Sequence, residues 1–270
     1  MRPGAADLEI DLLLEAIYRK YHYDFRRYSR ASIRRRLADA MVAFDCQTLS
    51  RLQERVVHDE TVFPDLMRFL TVQVSDLFRE PEFFRTFRGA IVPLLKTYPS
   101  LRLWIAGCST GEEAYSFAIL LHEEGLLDNA IVYATDINAE SLRVAEAGLY
   151  RAERLEKFTE NHRMSGAKNA LSEYYTAAYG SVVFNRSLRK SIVFSDHSLA
   201  TDGCFAEMQV ISCRNVLIYF DQVLQNRALG LLSDSLCRRG FVGLGARETM
   251  RFTEHDPNFA EVGDRWYQRC

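Results

Sequence analysis

A chain of 270 residues with 48% hydrophobic and 26% charged residues has the composition of a soluble globular protein, long enough for one large domain or a modest domain with a smaller companion. Its net charge of −2 excludes a general electrostatic pull toward nucleic acid or anionic membrane, so any such targeting has to be local. No apolar run approaches the roughly 20 residues of a membrane span, and the acidic, amphipathic start MRPGAADLEIDLLLEAIYRK is unlike a signal peptide. The reading is a cytoplasmic protein without membrane insertion. Its six cysteines form no C-x-x-C pair and no histidine lies at metal spacing, which implies reduced thiols and neither a metal site nor a disulfide frame.

From residue 8 to about 70 the pattern is helical, with Leu8, Leu12, Ile17 and Tyr18 marking one face and Ile33, Leu37 and Met41 another. No strand-like alternation occurs there, and Gly89 is the first glycine after Gly4. The segment RTFRGAIVPLLKTYPS reads as one helix entering the next domain, closed by Pro99. Short apolar strands then alternate with helical patterns: LRLWIAG, AIVYATD, SIVFSD, MQVISCRN and GFVGLG, with DRWYQRC as a last sheet strand. That alternation predicts a doubly wound, Rossmann-like α/β domain preceded by an all-α domain. The stretch from Asp136 to Ser191 is too long for one crossover helix and predicts an inserted subdomain. The expected boundaries are 1–72 for the helical domain, 73–90 for a linker and 91–270 for the α/β domain, with the insertion at about 152–190.

In such sheets ligands bind at the C-terminal strand ends. Four loops there carry polar residues. AGCSTGEE has Gly107 and Gly111 for close backbone approach, and Ser109 or Thr110 to cap the next helix. ATDIN places Asp136 where a carboxylate commonly holds two ribose hydroxyls. SDHSL offers Ser198, and SCRNVLIYFD offers Arg214, Asn215 and Tyr219. The first loop lacks both G-x-G-x-x-G spacing and a phosphate-holding lysine, and Glu112 or Glu113 would repel a diphosphate but attract a sulfonium or ammonium. A nucleoside cofactor without phosphate, S-adenosylmethionine, fits these loops best. Each signal also has an ordinary structural explanation: a tight strand-to-helix turn at Gly107 and Gly111, a helix cap at Asp136 or Asn215, and a core position for Tyr219.

The segments AGCSTGEEAYSFAI, ATDIN and CRNVLIYFD closely resemble the signature stretches of the chemotaxis receptor methyltransferases, the CheR-type protein-glutamate O-methyltransferases. The resemblance extends over nearly the whole chain, including the linker TVQVSDLFREPEFF. It implies that Gly107, Glu113 and Asp136 hold S-adenosylmethionine, with Asp136 on the ribose. Asn215 and Val216 would contact the nucleoside, and Tyr219 the methionine part near the reacting methyl. Arg79 would reach both the cofactor and the incoming carboxylate. Gln73 and Ser75 stand where the family commonly has asparagine and threonine, and Ser198, beside Leu199, where it often has asparagine. In GLGARETMRF, Ala246 and Arg247 replace a familiar His-Ser pair while Glu248 remains, which suggests a divergent branch. The implied catalytic residues are Arg79 and Tyr219.

The implied partners are the cytoplasmic helices of a chemoreceptor, a methyl-accepting protein. On a helix, Arg27, Arg30 and Arg34 of RRYSRASIRRRLADAM share a face and would dock an acidic receptor helix, though a solvated charged face explains them too. Some members also tether to a receptor tail peptide by adding a strand to the insertion, for which GSVVF offers an edge. Three rival classes remain: an amino-methyltransferase, a nicotinamide-dependent dehydrogenase and a sensor that binds S-adenosylmethionine without catalysis. The first lacks its N/D-P-P-Y-like motif and the second its glycines, and Arg79 with Tyr219 favours an active enzyme over the third.

Overall fold

The computed structural model describes residues 5–270, which form two compact units. One takes the described residues through Val72 together with Ile218–Ala228; the other takes Gln73–Leu217 and Leu229–Cys270.

The first unit is helical: α1 (Ala5–Tyr21), α2 (Arg30–Ala43), α3 (Leu49–His58) and α4 (Val62–Leu70). Thr48 caps α3 by accepting the Arg51 N–H, and α3 and α4 bury Leu52, Val56, Leu66 and Leu70. The buried stripe of α1 is Ile10, Leu13, Leu14 and Ile17, whereas Leu8 and Leu12 stand about half exposed at 52% and 49%. The expected face is therefore corrected. A run of three leucines fits several helical stripes, and packing on α3 selects the one at 10, 13, 14 and 17.

The second unit opens with α5 (Pro81–Thr86), a π turn over Phe87–Ile91 and α6 (Val92–Leu95). The single helix read from the sequence is interrupted because Pro93 has no N–H, and its ring would meet the carbonyl four residues back; the widened turn accommodates it. Then follow β1 (Leu101–Ala106), α7 (Glu112–Glu123), β2 (Ala130–Asp136), α8 (Ala139–Ala147), β3 (Leu149–Arg151), α9 (Leu155–Met164), β4 (Tyr175–Ala178), β5 (Ser181–Phe184), α10 (Arg186–Arg189), β6 (Ile192–Asp196), β7 (Met208–Cys213), α11 (Gln222–Ser235), β8 (Leu236–Leu244), β9 (Phe259–Gly263) and β10 (Trp266–Arg269).

Seven strands make one sheet in the order β6-β2-β1-β7-β8-β10-β9. The first five are parallel; β10 runs antiparallel to both neighbours. This is the doubly wound, Rossmann-like sheet expected. Strand order reverses between β1 and β7, so the loops after these strands diverge and leave a crevice at the switch point. Phe83, Phe84, Phe87, Phe117 and Trp266 pack into the core with Leu103 and Ile105 of β1.

The insertion is a three-stranded antiparallel sheet, β3-β5-β4, beginning at Leu149. GSVVF does not supply its edge: Ser181–Phe184 is the central strand, paired on both sides. Tyr179 and Gly180, both with positive φ (51° and 72°), make the two-residue turn that folds β4 back onto β5 while β3 takes the other side. The free edges belong to β3 and β4.

Candidate active site

The loop after β1 is built by its neighbours. Gly107 and Cys108 both donate their N–H to the Thr135 carbonyl of β2, at 2.8 and 2.9 Å. Gly107 has φ +77°, and a Cβ there would sit 2.5 Å from Val216 Cγ2. Two residues expected at the cofactor, Gly107 and Val216, are thus brought into direct contact from loops after different strands. At Gly111 the close neighbour is Ala145 of α8, which an added Cβ would approach to 2.7 Å, so this glycine serves packing.

Asp136 ends β2 and ties this loop down. Its carboxylate accepts the Ser109 N–H at 2.8 Å and the Asn138 N–H at 2.9 Å. Burial pushes the Asp136 carboxyl up from its ordinary value, against the pull of those backbone donors. Ser109 itself is in the left-handed region, φ +50°, and its buried hydroxyl has no hydrogen-bond partner. An orphaned buried hydroxyl beside an aspartate held by backbone donors suits a polyhydroxyl ligand such as a ribose. Burial, reinforced by Asp136 and Glu113, raises the Cys108 thiol well above its usual range, so it stays protonated and offers no nucleophile.

The two glutamates after the loop have separate duties. Glu112 is fully buried; it accepts from Thr110 Oγ1 at 2.7 Å and pairs with Arg154. Arg154 reaches on to Asp76 and to the Ser75 carbonyl, so a residue of the insertion fastens the linker to the cofactor loop. Glu113 accepts from Ser212 Oγ at 2.6 Å and from Arg214 Nη1 at 2.8 Å. Each carboxylate oxygen has a single partner there and a second lone pair to offer.

Arg214 stands at the centre of the constellation. Besides Glu113, it donates to the Arg79 carbonyl at 2.6 Å, pairs with Glu80 at 3.1 Å, and lies over the Phe83 ring, 4.0 Å from its centroid. The linker it holds is strained: Phe78 and Glu80, on either side of Arg79, have φ of +48° and +60°. Arg79 is thereby fixed through its backbone, while its side chain stays 38% exposed and donates to the Val74 carbonyl at 3.3 Å. Gln73 is exposed at the start of the linker.

Asn215 turns away from β7 with φ +59°. Glu248 fixes that turn by accepting the Asn215 and Gly245 N–H groups at 2.8 and 2.7 Å. The glutamate retained in GLGARETMRF thus joins the loops after β7 and β8. Ser198 starts a turn by donating its N–H to Asp202 at 2.9 Å, and Leu199 beside it is buried.

Four expected residues belong to the first unit. Tyr219 carries the buried Arg36 guanidinium over its ring, 4.5 Å from the centroid, and its carbonyl accepts the Ser29 N–H. Arg30 and Arg34 pair with Asp11 and Asp7 of α1, and Arg27 stands 3.6 Å from Asp221. The basic stripe is therefore matched by acids of its own unit.

Sequence reading left Arg154 and Glu248 without a role and gave Arg214 only a place in a loop. Arg154 had no local signal, being 42 residues from Glu112. Arg214 sat inside a recognisable segment, yet only the fold brings it to Glu113.

Comparison with known proteins agrees with this architecture. The model of the CheR methyltransferase SAM-binding domain matches residues 73–267, and that of the CheR all-alpha domain matches residues 8–71. The chain belongs to the CheR methyltransferase family. A Pseudomonas putida protein bearing the name Cher3 is 55% identical over 94% of this chain and 93% of its own length. A chemotaxis protein methyltransferase of Listeria innocua is 28% identical over 90% of this chain and 91% of its own. Chemotaxis protein methyltransferase 2 of Pseudomonas aeruginosa is 32% identical over 72% of this chain and 66% of its own. As a CheR protein the chain is an S-adenosylmethionine-dependent methyltransferase of chemotaxis. Among its described residues no helix is long and apolar enough to cross a membrane.

Proposed function

We propose that this protein methylates glutamate side-chain carboxylates on the cytoplasmic helices of chemoreceptors, producing glutamate methyl esters. One observation carries the reading. Arg79 is a half-exposed guanidinium on a strained linker, and the linker's backbone is pinned by the same Arg214 that holds Glu113 of the cofactor loop. That arrangement suits the alignment of an anionic acceptor beside the cofactor.

S-adenosylmethionine, when bound, supplies a methyl group on a sulfonium, which transfers by in-line displacement. Gln73, Ser75, Arg79, Gly107, Glu113, Asp136, Ser198, Leu199, Asn215 and Val216 would hold it. A glutamate carboxylate has an ordinary pKa of about 4.3, so the acceptor is already ionised at neutral pH and no general base is needed. The protein's work is to fix the carboxylate at near-attack distance and exclude water. Arg79 holds one carboxylate oxygen and leaves the other to attack.

Residues 1–72 would recognise the receptor through Arg27, Arg30 and Arg34, 73–90 would serve as the linker and 91–270 would carry the chemistry. A receptor tail peptide would pair with β3 or β4 of the insertion. The reaction site is then cytoplasmic. Tandem mass spectrometry of receptor peptides after turnover should place the added methyl on glutamate side chains. Finding it on lysine or arginine would replace this reading with amino-methylation.

A further inference from the structure

A cavity of about 260 Å³ lies between the linker and α9 of the insertion, lined by Ser75, Asp76, Arg79, Glu80, Lys157 and Asn161. It is below the roughly 300–1,000 Å³ of a usual small-molecule site and suits a single amino-acid side chain. Its walls are tied together: Asn161 Nδ2 donates to the Leu77 carbonyl at 2.9 Å, and Lys157 pairs with Asp76.

The acids in it are each held by an arginine. Asp76 is only 17% exposed and also engages Arg154; Glu80 engages Arg214. Lys157 is 67% exposed and retains donors beyond its pair with Asp76, and Arg79, 3.9 Å from Glu80 and bonded to the Val74 carbonyl, likewise has N–H groups left over. Each acid is thus already shared with a second cation, whereas Lys157 and Arg79 have donors to spare, so the cavity favours a carboxylate.

We propose that this cavity seats the acceptor's carboxylate side chain, with Arg79 on one wall and Lys157 of α9 on the other as a specificity-determining residue. The inference rests on the reading of Arg79 as the group that aligns the acceptor. It gives the insertion a part in acceptor selection that is separate from any tail-peptide tether.

The test titrates receptor-containing membranes as acceptor with labelled S-adenosylmethionine, running wild type, Lys157→Gln and Lys157→Arg in parallel. Lys157→Gln should raise the half-saturating membrane concentration about tenfold with little change in kcat, and Lys157→Arg should restore it. Calorimetric affinity for S-adenosylhomocysteine should be the same in all three. Unchanged half-saturation in Lys157→Gln, or a loss confined to S-adenosylhomocysteine affinity, overturns the inference. A wild type that forms no base-labile ester overturns the parent reading and this one with it, so the two failures are distinguishable.

Discussion

Arg214 and Glu113 form an ion pair at 2.8 Å in which the arginine side chain is 1% exposed and the glutamate 14%. The pair couples the cofactor loop to the linker, because the other terminal nitrogen of Arg214 holds the Arg79 carbonyl. Replacing Arg214 by methionine leaves a mostly buried carboxylate without its partner, a change that costs roughly 3–5 kcal/mol. Adding Glu113→Gln should recover part of that loss. Urea unfolding of the two single variants and the double variant measures the coupling directly.

Gly107 and Val216 test the loop's geometry. Gly107→Ala places a side chain at φ +77° and 2.5 Å from Val216 Cγ2. The left-handed backbone alone costs about 1–2 kcal/mol, and the clash adds to it. Val216→Ala in the same chain removes the clashing carbon but not the backbone penalty. The double variant should therefore be more stable than Gly107→Ala, yet remain below wild type in thermal unfolding.

A buried network gives the protein an acid limit. Glu123 accepts from His162 at 3.0 Å and pairs with Arg88. Burial raises its carboxyl, but His162 and Arg88 outweigh that and hold it below its ordinary value. The unfolded chain then binds this proton more readily than the folded one. The stabilisation is complete above the unfolded pKa of about 4.3 and is lost as pH falls through the folded value. Glu123→Gln should lower stability at neutral pH by roughly 3–5 kcal/mol, and the gap to wild type should close in acid. Unfolding curves at a series of pH values show whether it does.

Much of this was readable in the sequence because apolar strands bounded by turns announce a parallel sheet. β9, whose FAEVG is partly exposed and antiparallel, gave no such run. The stripe of α1 was misread because contiguous leucines fit several helical faces. The edge of the insertion depended on a two-residue turn at Tyr179 and Gly180 that pattern alone does not orient. The strand-end positions of Gly107, Asp136 and Asn215 were legible because each lies where an apolar run stops. The Arg214–Glu113 pair was not, because 101 residues separate its members and only the sheet order joins them.

The basic stripe on α2 makes a separate prediction. Arg30 and Arg34 are exposed and paired with acids of α1, and such pairs contribute about 0–1 kcal/mol each. Arg30→Ala with Arg34→Ala should leave the unfolding temperature almost unchanged. Methylation of receptor membranes should fall about tenfold in kcat/KM and lose most of its salt dependence, as expected for docking charges. Unaltered kinetics would return the stripe to a solvated face.

The central claim is carboxyl methylation, and the most direct measurement is the fate of the transferred methyl. Receptor-containing membranes are incubated with the protein and methyl-labelled S-adenosylmethionine, washed, and treated with base. Release of the label as volatile methanol, lost when Arg79 is replaced by alanine, is the predicted result. Label that stays fixed to protein through base treatment would contradict the account and identify the acceptor as nitrogen.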